Sequence, residues 1–153
     1  MNEKMAEKIF YKNLHDVCEL MDNNGVTTDT QLRKYGKKVL GPFFTGVYSQ
    51  DTIPKKNKAN TCFITNVDTN DMPGSHWVAI YFSGKIYHIY DSFGRSSNSL
   101  LPIFTKRIKN SRFRFKDSDK DAEQRDSDHF CGQACIAYLL CIQQIGIKAS
   151  MKI

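Results

Sequence analysis

Nowhere in this 153-residue chain is there an apolar run approaching the roughly 18 to 20 residues that a membrane span requires. The opening stretch MNEKMAEKIFYKNLHDVCELM interleaves charged with apolar residues, unlike the uninterrupted core of a secretory signal. These two absences predict an intracellular protein with no membrane partner. Internal repeats and low-complexity tracts are also missing, which excludes repeat architectures. The cysteines form no even, regularly spaced set: the five, at positions 18, 62, 131, 135 and 141, fit free thiols in a reducing compartment rather than a disulfide framework. Paired Cys-x-x-Cys motifs are lacking too. A zinc site through His129, Cys131, Cys135 and Cys141 would need three ligands along one helix, so no metal is expected.

Hydrophobic residues make up 41% of the chain and charged residues 25%, enough of the first to build a core and not enough of the second to keep the chain unfolded. The length suits one domain over residues 1–153, with a helical part at 1–40 and a sheet with a closing helix at 41–153. The formal net charge of +6 is uneven, with KKNK at 55–58 and KRIKNSRFRFK at 106–116 basic and DSDKDAEQRDSD at 117–128 acidic. Both a polyanion partner and an ordinary solvated surface fit that pattern.

Apolar residues recur at helical spacing over 3–22, with Gly25 as the expected stop. Thr28 followed by Gln31 predicts a capping box and a second helix over about 29–39, ended by GPFF. FTGVYS at 44–49 and TCFITNVD at 61–68 read as strands, and NDMPG at 70–74 as a turn. SLLPIFTKRIKN is expected to be helical despite Pro102, SRFRF to be a short strand, and the segment from Cys131 to be a largely buried helix.

GSHWVAIYFSGKIYHIYDSFG, at 74–94, predicts a β-hairpin turning on Ser83 and Gly84. In that register Phe82 faces Lys85, Ile80 faces Tyr87, and His76 falls directly opposite Asp91, so the carboxylate can accept the imidazole N–H. Such a pair fixes the ring and leaves its other nitrogen free to act as a base, although a structural ion pair would look the same from sequence. A loop of three residues would set Asp91 against Trp77 instead. Cys131 follows a polar loop and opens the last helix, where the macrodipole and unpaired N–H groups favour a thiolate. Cys18, Cys62, Cys135 and Cys141 lie in apolar contexts and read as small buried hydrophobes. Among the other histidines, His88 has the opposite parity from Asp91, His15 lies on the first helix, and His129 is close to Cys131.

The SHW of His76 and Trp77, an acidic residue fifteen positions after the histidine, and a glutamine seven positions before the CG of Cys131 resemble the adenain and ubiquitin-like-protein peptidase clan of cysteine proteases. FTGVYSQDTIP at 44–54 and ITNVD with PGSHWVAIYF, within 64–82, look like the segments leading to the catalytic histidine in the adenovirus-type proteases of virophages and Polinton-type transposons. The resemblance covers roughly residues 40–145. It implies an α+β fold, a central mixed sheet flanked by helices in the papain-like cysteine protease arrangement, with the nucleophile at a helix N-terminus. It also implies His76 as general base, Asp91 as its orienting acid, Cys131 as nucleophile, Gln124 as oxyanion-hole donor and Trp77 beside the substrate. Trp77 reads equally well as a core aromatic. Adenovirus enzymes carry glutamate where this chain has Asp91, which is closer to the ubiquitin-like-protein peptidases, and many members continue past the final helix with further helices.

By the same resemblance the substrates are viral capsid and other structural proteins cut during maturation near glycine, and the protein resides in the virion and the host-cell cytoplasm. No cofactor is implied. Stimulation by DNA or by a viral peptide belongs to the adenovirus members; the basic segments suit DNA, and no cysteine here can be assigned to a linkage with such a peptide. Three other readings stay open: a deconjugase for a ubiquitin-like modifier, an acyltransferase on the same scaffold, and a non-enzymatic basic DNA-packaging module with Cys131 in its core.

Overall fold

A computed structural model describes residues 1–72, 74–118, 122–124 and 128–153. Much of the acidic stretch at 117–128 therefore lies outside the described residues, as does Pro73 of the turn at 70–74. The elements are helices α1 (Glu3–Met21) and α2 (Asp29–Leu40), strands β1 (Phe44–Tyr48), β2 (Thr61–Asn66), β3 (Trp77–Phe82) and β4 (Ile86–Tyr90), helices α3 (Ser97–Leu100) and α4 (Pro102–Lys109), strand β5 (Arg114–Asp117) and helix α5 (Cys131–Ser150). The five strands lie in chain order across one sheet. The outer pairs β1/β2 and β4/β5 are parallel and the inner pairs antiparallel, giving the mixed, helix-flanked sheet expected from the sequence.

The inner strands β2 and β3 are buried on nearly every residue because both sheet faces are covered. One face carries α1, α2 and α5, whose Phe10, Leu32, Ile136 and Tyr138 pack with Ile64, Ala79 and Tyr90 of the sheet. On the other face Leu101, Phe104 and Ile108, on and just before α4, pack with Phe63, Ile80, Tyr87 and Ile89. Edge strand β5 alternates exposed and half-buried residues, and its exposed Arg114 and Lys116 discourage pairing with another chain.

Local chemistry explains most boundaries. Thr28 and Gln31 form the expected capping box, with Gln31 N donating to Thr28 Oγ1 at 3.2 Å and Thr28 N to Gln31 Oε1 at 2.9 Å. α1 stops at Asp22, in the left-handed region at φ 49°, so the cap falls before Gly25. The helix expected across Pro102 is instead two: α3 ends and Pro102 begins α4, since proline cannot donate within a helix but suits its first position. The strand expected over SRFRF starts later, at Arg114, because Phe113 turns aside to pack edge-on against Phe82 at 5.2 Å. Gly146, at φ 81°, interrupts α5 near its end.

Candidate active site

His76 immediately precedes β3 and Asp91 immediately follows β4. The two strands are antiparallel neighbours, so both residues lie at one end of the sheet. The register differs from the sequence expectation: Phe82 pairs with Tyr87, Tyr81 with His88, Ile80 with Ile89 and Ala79 with Tyr90. The loop residues are Gly84 and Lys85, closed by a Ser83 N–H bond to Ile86 O at 3.0 Å. Gly84 takes the first central position at φ 111°, the place where a II′ hairpin turn demands glycine. His76 is therefore diagonal to Asp91, not directly opposite, and extending the register past the strand ends sets Phe93 across from it. A two-residue slip preserves side-chain parity, so His76 and Asp91 still share a face and remain within reach.

They meet: His76 Nε2 lies 2.5 Å from Asp91 Oδ1, with both side chains almost fully buried. The other carboxylate oxygen, Oδ2, accepts from the Arg95 backbone N–H at 2.8 Å and from Arg95 Nε at 3.0 Å. Phe93 lies between the cations, 5.3 Å from the His76 ring and under the Arg95 guanidinium at 4.9 Å. With Nε2 committed to Asp91, the imidazole's remaining nitrogen is left for Cys131, whose sulfur borders the same cleft and interacts with the ring. The final helix starts over this end of the sheet because Tyr138 of α5 stacks on Tyr90 at 4.0 Å, next to Asp91.

Cys131 is the first residue of α5, and among the described residues no side chain caps that helix. Its first-turn N–H groups are thus left to serve the sulfur and whatever binds beside it. Burial pushes the Cys131 thiol up, but the His76 bond and charge, with the Trp77 and Gly132 backbone N–H groups, outweigh it and bring the thiol below its ordinary range. For His76, burial pulls down, while the bonds to Asp91 and Cys131 more than compensate and raise it. Asp91 is held low: burial opposes this, and His76 and Arg95 overcome it. The three shifts together favour a thiolate–imidazolium pair backed by a carboxylate.

Gln124 is buried within the connection that leads to α5. Its Oε1 accepts from Phe130 N at 2.9 Å, and its Nε2 donates to Ser92 Oγ. Because a backbone N–H can only donate, this network orients the amide with its NH2 end away from Phe130. His76, Trp77, Phe93, Gln124 and Cys131 all border one open cleft of about 990 Å³, whose far wall includes β1. Trp77 is half-buried in that wall, and its indole N–H donates to Thr27 O at 3.3 Å. Its aromatic body also packs on the α1/α2/α5 core, so the position serves both cleft and core.

Of the remaining cysteines only Cys135, one turn along α5, lies near enough to feel the charges of Cys131 and Asp91. Cys62, Cys135 and Cys141 are buried, and burial pushes their thiols up, Cys141 to about 11; Cys18 is only half-buried and is raised by the same cause. His88 stacks on Tyr81 at 5.8 Å, away from Asp91 as its parity predicts, and His15 pairs with Glu19 at 3.1 Å on the surface. His129 borders the cleft but makes no cluster with Cys131, Cys135 and Cys141; among the described residues the converging group with metal-ligand spacing is the exposed His15, Asp16 and Glu19.

Four contributors to the site escaped the sequence reading. Arg95 and Ser92 lie in the YDSFGR segment straight after the acid. Gly132 admits Thr27, whose Oγ1 would be 2.1 Å from any added Cβ, and so lets α5 close onto the start of α2. Gln133 fastens the same turn by donating to Asn23 O at 2.8 Å and Gly25 O at 2.9 Å. The CG pair was a visible signal for Gly132; the other three carry no local signature.

No family model matches the chain. The chain is 33% identical over 66 residues to a protein named Protease from Bovine adenovirus C serotype 10, a stretch covering 42% of this chain and 34% of that relative. Over that stretch it is similar to a viral protease, and it spans about a third of the relative's length. Among the described residues no helix is long and apolar enough to cross a membrane.

Proposed function

We propose that the protein is a cysteine endopeptidase that cleaves viral capsid and other structural precursor proteins, near glycine, during virion maturation. The carrying observation is the array in which Cys131, at the start of α5, borders one open cleft together with His76, and His76 is held at 2.5 Å by the buried Asp91 behind it, with Cys131 and His76 each favouring the other's charged form. The partial similarity to an adenovirus protease supports the same reading.

The Cys131 thiolate attacks the scissile carbonyl carbon, and the C=O electron pair moves onto oxygen. That oxyanion is met by the Gln124 amide and the Cys131 backbone N–H. As the C–N bond breaks, the His76 imidazolium gives its proton to the departing amine. Water then attacks the thioester while His76 takes up its proton, and the thiolate leaves. Asp91 keeps the imidazole aligned and stabilises its charged form throughout. Trp77 narrows the cleft beside the sulfur, which favours glycine at the scissile bond. No cofactor enters these steps; DNA bound to the basic segments, or a viral peptide, would act as a stimulator. The virion and the host-cell cytoplasm are the compartments this reading assigns.

Incubation of the wild type and Cys131→Ala with the capsid proteins encoded beside it tests the proposal. Cleavage by the first and not the second is expected; no cleavage, together with a Cys131 that iodoacetamide fails to modify at neutral pH, would overturn it in favour of a non-catalytic DNA-packaging module. Cleavage of a folded modifier with a Gly-Gly tail, in preference to capsid protein, would redirect it to a deconjugase.

A further inference from the structure

We propose that Ser92 is a positioning residue for the oxyanion donor, anchoring the NH2 end of the Gln124 amide, whose orientation the Phe130 N–H sets, toward the reacting carbonyl. This rests on the peptidase reading above. A glutamine offers an oxygen and an NH2 group of nearly the same size, and only the NH2 stabilises an oxyanion; the reversed amide would repel it. Phe130 N–H holds the Gln124 oxygen at 2.9 Å, and the Ser92 hydroxyl accepts one amide hydrogen, leaving the second for the cleft that Gln124 borders. Ser92 also holds the Gln124 backbone: its carbonyl oxygen accepts from Glu123 N at 2.8 Å and from Gln124 N at 3.1 Å.

The residue is fully buried and directly follows Asp91, so one short segment sets both the orienting acid and the oxyanion donor, which lies 32 residues further along the chain. The hydroxyl can be removed without disturbing the two carbonyl contacts, because those are main-chain bonds. Ser92→Ala therefore frees the amide end alone, while the thiolate–imidazolium pair keeps all its partners.

Two probes of the same sulfur separate these effects. Acylation by p-nitrophenyl acetate passes through a tetrahedral oxyanion; alkylation by iodoacetamide is a direct displacement and does not. Both rates would be read on the full chain by intact mass and peptide mapping, with Cys131→Ala as blank. Ser92→Ala is expected to slow acylation about tenfold, less than the outright loss of an oxyanion donor, and to leave alkylation within about twofold of wild type. Gln124→Ala is expected to slow acylation about a hundredfold, and adding Ser92→Ala to it is expected to change nothing further. Equal loss of both rates in Ser92→Ala, or full additivity in the double variant, would overturn the proposal. Wild-type acylation by Gln124→Ala would instead reject the oxyanion role of Gln124, and Ser92's role with it. Ser92→Gly, which also lacks the hydroxyl, gives the same readout if the alanine variant does not fold.

Discussion

Two histidines of the same hairpin show what decides a buried imidazole's behaviour. His76 at the sheet end and His88 within β4 are each only 7% exposed. Burial pulls both down. His88 stays low because burial is reinforced by nearby Lys116, and among the described residues its Nδ1 meets no hydrogen-bond partner. His76 ends high because Asp91 and Cys131 supply opposite charge and hydrogen bonds. Desolvation is common to both sites, so the partners alone separate a chargeable base from a neutral core residue.

The sharpest way to break the comparison is to exchange the two sites' fates by mutation. His76→Ala is expected to lower turnover at least about a thousandfold, since both proton transfers of the proposed mechanism run through that ring. His88→Ala is expected to cost stability, of the order of 1–3 kcal/mol for a truncated buried ring, while leaving turnover by the folded fraction within about threefold. Steady-state assays with a parallel denaturant titration read both. Comparable loss of turnover in the two variants would deny that the sheet end is special.

The partner can be neutralised next. Asp91→Asn keeps the shape but removes the charge and permits the wrong imidazole tautomer, and is expected to cost about 10²- to 10⁴-fold in turnover. It should also lower the His76 pKa, bringing it closer to His88. An NMR titration of the two rings would show the convergence; an unchanged separation would mean that Asp91 is not what raises His76.

The pair is legible in the sequence even though the expected register differs from the observed one. The hairpin register inferred from Ser83-Gly84 was two residues off, yet even slips conserve parity, so His76 and Asp91 remained partners on one face. Cys131 was legible because a polar loop gives way there to an apolar helix. Thr28 and Gln31 announced their cap because both bonds are local. By contrast, Ser92 reaches Gln124 and Gln133 reaches the α1–α2 loop, and such long-range bonds have no periodic signature. Pro102 misled for a physical reason: alone it signals either a kink or a helix start, and packing of Phe104 and Ile108 under the sheet decided for the start. Arg95, four residues after Asp91, was close enough to notice, but its bond depends on a tight turn in which Gly94 N donates to Asp91 O at 2.9 Å.

Arg95 offers a finer adjustment of the same contrast. Its guanidinium draws on the charge of Asp91 that also supports His76. Arg95→Met retains the backbone N–H bond to Asp91 and removes the cation. With less competition for the carboxylate the imidazolium persists to higher pH. In the proposed mechanism the activity profile rises through the Cys131 pKa and falls through that of His76, so the falling limb is expected to move to higher pH, with turnover at the optimum reduced by no more than about tenfold. Arg95→Lys, which keeps the charge, should leave the limbs in place. A falling limb that stays put in Arg95→Met would show that the residue packs on Phe93 without tuning the pair.

The smallest expected effect concerns the pH dependence of stability, where the two histidines should oppose each other. A histidine held below its unfolded value favours the folded state while neutral, and this contribution is lost as pH falls from the unfolded pKa, about 6.5, toward the lower folded one. That describes His88. His76, held above its unfolded value, contributes fully below that pKa, and the contribution is lost as pH rises through its folded pKa. His88→Phe preserves an aromatic ring against Tyr81 and removes the titration. Its urea midpoint relative to wild type should therefore be flat between pH 7 and 8 and should rise steadily as pH is lowered through 6.5 toward 5. A constant offset across the whole range would mean that Lys116 and burial do not hold His88 neutral, and the contrast between the two rings would then rest on His76 alone.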